Sequence, residues 1–142
     1  MSFTSRGIPM ENKKHRNCAQ KVLGAFAEDF AIDPALADGI ASAFGGGRFR
    51  GETCGCVVAA NMVLGLAYGH DRELLKANSL RFEEGFKEIH GSVNCSEILR
   101  EVRALQTPAK VDAAKAERCS RCIDDSIAIL RGILENHGPI NV

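Results

Sequence analysis

What this chain lacks narrows its class before any motif is considered. It has no excess of positive charge: 18 Lys and Arg balance 18 Asp and Glu, and no segment gathers enough basic side chains to track a phosphate backbone. No nucleic-acid partner is expected. It also has no long apolar run. The most apolar stretch, Val57 to Tyr68 (VVAANMVLGLAY), is interrupted by Asn61 and Gly65 and falls well short of the ~18–20 apolar residues that cross a bilayer. No membrane span is expected, and the stretch reads as a central buried helix. Nowhere do apolar and polar residues alternate with period two, so no half-buried sheet is expected. The first seventeen residues are polar and basic, with Lys13, Lys14, His15 and Arg16 in a row, where an export signal would be apolar. The expected setting is therefore a reducing cytoplasm.

Aromatic and thioether side chains are scarce too, with no Trp, one Tyr and three Met, while there are six Cys. A chain of 142 residues is long enough for a core that needs no covalent staples. It reads as one helical domain over residues 1–142, with residues 1–10 as a flexible tail. In a reducing compartment several cysteines point to metal ligation or catalytic redox exchange, set against the plain alternative that Cys packs as a small apolar residue. A core chosen only for volume would draw more evenly on Leu, Ile, Val and Met, and six thiols weaken that alternative.

Every apolar segment has helical period, which predicts an all-α compact bundle of five to seven helices. The first runs from about Glu11 to Phe30, with Cys18, Val22, Phe26 and Phe30 four apart. Asp33-Pro34 is an N-cap and first-turn proline for a short second helix that ends before Gly45-Gly46-Gly47. The glycines and Arg48-Phe49-Arg50-Gly51 form a flexible loop. Thr53 is the expected cap of the apolar helix, which stops near Gly69. Asp71 caps a fourth helix with Leu75, Ser79, Phe82, Phe86 and Ile89 as its core stripe and Gly91 as its stop. Asn94 and Glu97 resemble a capping box for a fifth, which carries Cys95, Leu99 and Val102 on one face. Pro108 breaks or restarts the chain, and Thr107 to Arg118 reads as a surface helix or a long connector. The last helix puts Cys119, Cys122, Ile123, Ser126, Ile127, Leu130, Ile133 and Leu134 on one stripe and ends at Gly138-Pro139.

All six cysteines should point inward. Cys54, Cys95 and Cys119 fall within the expected first turns of their helices, where the positive end of the dipole and unpaired N–H groups favour a thiolate. Cys54-Gly55-Cys56 and Cys119-Ser120-Arg121-Cys122 are spacings shared by redox dithiols, zinc sites and iron–sulfur ligands. Ile123 stands where c-type haem attachment would need His, and the C-x-x-C follows no strand, which argues against a thioredoxin-like fold. His15, His70, His90 and His137 read as solvated or capping residues. Asp124-Asp125 and Glu83-Glu84 are adjacent pairs that diverge by about 100° on a helix, so they read as solvated faces. The triple glycine lacks the Gly-Lys-Ser/Thr ending of a phosphate-binding loop.

Taken together, Asn17-Cys18-Ala19-Gln20, Phe44-Gly45-Gly46-Gly47, Gly51-Glu52-Thr53-Cys54-Gly55, Gly65-Leu66, Asn94-Cys95 and Cys119 resemble the C_GCAxxG_C_C family of redox-active proteins. The resemblance covers nearly the whole chain. Carried over position by position, the family cysteines are Cys18, Cys54, Cys95 and Cys119, which the resemblance makes the metal-ligand set if a metal is held. Cys56 stands where the family usually has Ala, and Ala59 where Gly is common, so Cys56 and Cys122 look like additions.

The expected function is redox activity or electron transfer by a cluster of helix-borne cysteines. In one form the chain is a thiol-based oxidoreductase in which Cys54, Cys56, Cys119 and Cys122 cycle between thiol and disulfide. In the other the thiols hold an iron–sulfur cluster or zinc. The rivals are a non-catalytic structural metal-binding protein and an interaction module with merely packed cysteines. A redox partner of unidentified nature and a homodimer are the partners this reading allows.

Overall fold

The computed structural model describes residues 15–136. The expected tail, a helix start near Glu11, His137 and the Gly138-Pro139 stop lie outside the described residues. Within them there are seven α-helices: α1 (Cys18–Ala25), α2 (Pro34–Ala41), α3 (Gly55–Tyr68), α4 (Arg72–His90), α5 (Cys95–Ile98), α6 (Arg100–Arg103) and α7 (Pro108–Asn136). No strand is present among these residues, only an isolated antiparallel bridge between Thr53 and Asn94.

α3 is the axis of the bundle, packed against α1, α4 and α7. It is apolar on nearly every side, and Val57, Ala59, Ala60, Val63 and Leu64 are fully buried. That is what a helix enclosed by three others requires. Its one polar interruption, Asn61, accepts a hydrogen bond from Ser79 Oγ of α4 at 2.6 Å, so neither polar group is left without a partner. α4 contributes Asn78, Phe82 and Phe86 to the core. Ile89, expected on that stripe, is 53% exposed, and the next residue, His90, turns inward instead. Both positions lie within one turn of Phe86, and α7 covers the side that His90 faces.

Several boundaries differ from the sequence reading. α1 begins at Cys18 because Asn17 caps it: the Asn17 side chain accepts from Gln20 N–H at 2.8 Å and the Gln20 side chain accepts from Asn17 N–H at 2.8 Å. This reciprocal box satisfies two otherwise unpaired donors and stops the helix from extending backward. α1 ends at Ala25, yet Val22, Phe26 and Phe30 are all buried, the last two from a turn. The fifth helix is broken at Leu99 into α5 and α6, while Cys95, Leu99 and Val102 still form one small cluster. The segment from Pro108 to Arg118 is a surface helix rather than a connector, and it is continuous with the last helix as the first third of α7, 29 residues long. Pro108 starts it, Thr107 Oγ1 accepts from Lys110 N–H, and Ala, Lys and Glu carry it onward.

The glycine-rich loop is an ordered turn. Gly46, Gly47, Arg48 and Phe49 have φ of 58°, 62°, 60° and 61°, four left-handed residues in succession. Phe49 N–H donates to Gly45 C=O, Gly51 N–H to Gly46 C=O and Glu52 N–H to Gly47 C=O, at 2.9 to 3.1 Å, which closes the π-type turn Gly47–Gly51. Left-handed backbone costs roughly 1–2 kcal/mol for a residue with a Cβ, and Arg48 and Phe49 both bear it. The bonds that close the turn help to offset this strain and deliver the chain to Cys54.

Candidate functional site

The cap of α3 is not Thr53, which pairs with Asn94, but Cys54 itself. Its backbone is fixed from outside the helix, Cys54 N–H donating to Val93 C=O at 2.7 Å. A thiol at this position meets the positive end of the α3 dipole. Gly55 follows because nothing larger fits: a Cβ there would sit 2.5 Å from Phe44 O and 2.7 Å from Cys18 Sγ. The glycine thus brings α1 and α3 close enough for their thiols to meet.

One cavity of about 390 Å³ is lined by all six cysteines. Lys21, Asp112 and Lys115 also line it. The cysteines fall into two sets around this space. Cys54, Cys56 and Cys122 belong to the main core with half-buried Cys18 packed against them, while Cys95 and Cys119 belong to the small cluster with Leu99 and Val102. Cys54 lines this space together with Cys18, Cys56 and Cys122, and its acidity responds to all three. None of the six forms a disulfide.

These neighbours divide the thiols by acidity. Cys122 raises Cys54, but Cys18, Cys56 and the Cys56 backbone N–H favour its thiolate, and Cys54 ends below the ordinary thiol value. Cys122 is lowered by Cys54 against the cost of burial. Cys18 is raised, chiefly by Cys54, and Cys56 is raised by Cys18 and Cys54. Cys95 is raised by burial, and burial pushes Cys119 up to about 11. Cys54 and Cys122 are thus the two thiols shifted toward the thiolate, and Cys18 and Cys56 the neighbours shifted away from it.

Cys119 does not sit at a helix start, because α7 begins at Pro108. The dipole argument holds for Cys54, whereas Cys119 is an interior residue of a long helix. The ligand set Cys18, Cys54, Cys95 and Cys119 lines one cavity but is divided between the two clusters. Among the described residues no three His, Cys, Asp or Glu side chains are grouped to hold a metal ion. The chemistry these residues supply by themselves is that of thiols.

Two side chains that the sequence reading set aside also belong here. The His90 side chain is only 3% exposed, neither solvated nor capping. Its Nδ1 lies 3.7 Å from Cys122 Sγ and its Nε2 3.0 Å from Asp125 Oδ2. Asp125 was weighed with its neighbour Asp124, but the informative spacing is to Cys122, one turn back on the same face of α7. His15 and His70 are exposed, as are Asp124 and Glu84.

An all-helical bundle whose central helix begins at a thiol held below its ordinary pKa, enclosed by further thiols, defines a class of cysteine-cluster proteins distinct from strand-based dithiol folds. The chain belongs to the C_GCAxxG_C_C family: its model, described as "Putative redox-active protein (C_GCAxxG_C_C)", matches residues 16–133. That span includes all six cysteines, His90 and Asp125. Neither the curated proteins nor the solved structures contain a match to this chain. No helix among the described residues is long and apolar enough to cross a membrane.

Proposed function

We propose that the protein is a thiol-based redox protein in which Cys54 and Cys122 cycle between dithiol and disulfide. The observation that carries this reading is the gathering of Cys54, at the start of α3, with Cys18, Cys56 and Cys122 around one cavity. A thiolate at Cys54 attacks one sulfur of a substrate disulfide. A Cys54–substrate disulfide forms and one substrate thiolate leaves. Cys122 then attacks the Cys54 sulfur, the Cys54–Cys122 disulfide forms, and the second substrate thiolate departs. The substrate disulfide gains two electrons and the protein dithiol loses them. Cys18 and Cys56 remain protonated and stabilise charge at Cys54. Cys95 and Cys119, raised and set apart, are spectators of this cycle.

The test uses reduced protein prepared without oxygen and treated with a small aliphatic disulfide, followed by mapping of disulfides by mass spectrometry. One intramolecular disulfide containing Cys54, reversed by dithiothreitol, is the expected product. Cys54→Ser should lose it while keeping the helical circular dichroism. Stoichiometric iron or zinc in the untreated protein, lost together with stability in Cys54→Ser, would instead place the chain with structural metal proteins. Six unperturbed thiols with neither metal nor disulfide would leave only an interaction module.

A further inference from the structure

Cys122, His90 and Asp125 make a chain of three reactive side chains built from two helices. His90 is the last residue of α4, just before Gly91, whose φ of 80° ends the helix. Cys122 and Asp125 are one turn apart on α7. The imidazole is held against the Phe86 ring at a centroid distance of 4.7 Å. With Nδ1 facing the thiol, Nε2 faces the carboxylate at 3.0 Å, off the line of a hydrogen bond and with no other partner. A buried histidine kept only for packing would satisfy its nitrogens with backbone groups or be replaced by Leu or Met. Here the groups nearest both nitrogens are side chains that gain or lose protons, Cys122 and Asp125.

We propose that His90 is the proton acceptor for Cys122 and that Asp125 orients and stabilises the imidazolium so formed. The inference rests on the thiol-exchange reading for its biological use, but the relay itself is a property of the reduced protein. In the second step of exchange the Cys122 S–H gives its proton to His90 Nδ1, and the thiolate attacks Cys54 in the mixed disulfide. The departing substrate sulfur then takes that proton from His90, so the imidazole is neutral at both ends of the step. Burial lowers His90 below its ordinary value and so keeps it neutral and ready to accept. Asp125 opposes that shift, Arg118 and Arg121 reinforce it, and α3, the other helix against α4, has no ionic side chain.

The relay is tested by alkylating reduced, oxidant-free protein with iodoacetamide between pH 5 and 9 and following each cysteine by peptide mass spectrometry. In the unaltered protein Cys122 should react with a midpoint below the free-thiol value of about 8.5. His90→Leu, an apolar replacement that packs against Phe86, should raise that midpoint by about one unit and slow the reaction at pH 7 roughly tenfold. Asp125→Asn should slow it by roughly threefold, since the imidazolium loses the negative charge that lies 3.0 Å from Nε2. Cys119, one turn away, should be unaffected in both. If His90→Leu does not fold, Asp125→Asn decides the matter, because Asp125 is 37% exposed and its loss spares the core. A Cys122 profile unchanged in folded variants would overturn the relay even where the Cys54–Cys122 disulfide still forms. A shifted profile without that disulfide would support the relay and remove thiol exchange as its use.

Discussion

Thr53 and Asn94 pair in an antiparallel bridge, and the residue after each is a cysteine. Cys54 N–H donates to Val93 C=O and Cys95 N–H donates to Glu52 C=O, both at 2.7 Å. This join brings the start of the buried helix and the start of α5 to one cavity. The left-handed turn before Cys54 also meets α5, where Gly47 leaves room for Cys95 and Ser96 Oγ donates to Gly51 C=O at 2.7 Å.

Gly47→Ala is therefore expected to destabilise the protein by about 2 kcal/mol or more. Its φ is +62°, and an added Cβ would sit 2.7 Å from Glu52 O and 2.9 Å from Cys95 Cβ. Gly91→Ala is the control. It shares a positive φ, but its Cβ would meet open space, so only the backbone cost of about 1 kcal/mol remains. Chemical denaturation of the two variants side by side checks the difference, and equal losses would show that the Gly47 contacts are readily relieved.

Asn17→Ala should cost about 1–2 kcal/mol. The residue caps α1, and its amide also donates to Ser42 C=O at 3.0 Å, which ties α1 to the end of α2. Asn17→Asp keeps the cap but loses that donor, so it should recover part of the loss. Melting temperatures of the three proteins separate the two contributions.

Ser126→Ala is expected to be stabilising, by about 1 kcal/mol. Ser126 is fully buried and its Oγ has no hydrogen-bond partner, so the hydroxyl is desolvated without compensation. A measured loss of stability would show that the hydroxyl is used, and would direct attention to what occupies the space beside Cys122.

Stability should fall on both sides of a maximum near pH 7–9. Cys119, raised to about 11 by burial, contributes stability that is whole below the unfolded thiol value and is lost as pH rises toward 11. Cys18, Cys56 and Cys95 act in the same direction. Cys54 and Cys122 are lowered, so their contribution is present above the unfolded value and lost as pH falls through their folded values. His90 is lowered as well and adds to the acidic loss below the ordinary histidine value of about 6.5. Thermal unfolding under reductant should show that Cys119→Ala flattens the alkaline arm, and an unchanged arm would contradict the assignment.

Helical period, caps and stops made the all-α class legible, and with it the burial of Val22, Phe26, Phe82, Phe86 and Leu130. The resemblance of the ordered cysteines, matched by the family model over residues 16–133, pointed to thiols that the fold gathers around one cavity. Local errors arose where two signals competed. Thr53 has the chemistry of a cap but is held by Asn94, and Pro108 reads as either a break or a restart, of which the restart holds, since it begins α7. His90 reads as solvated because a histidine beside a helix-ending glycine is ordinarily wet.

By itself, then, the sequence determined which faces are apolar, and so that six thiols would turn inward on a helical scaffold. That information is local, written in residues three and four apart. The division of those thiols into acidic Cys54 and Cys122 and their raised neighbours was decided by tertiary structure alone. So was the meeting of His90 with Cys122 and Asp125. Acidity and proton transfer depend on which groups share a low-dielectric space, and only the packing of α4 and α7 against α3 establishes that.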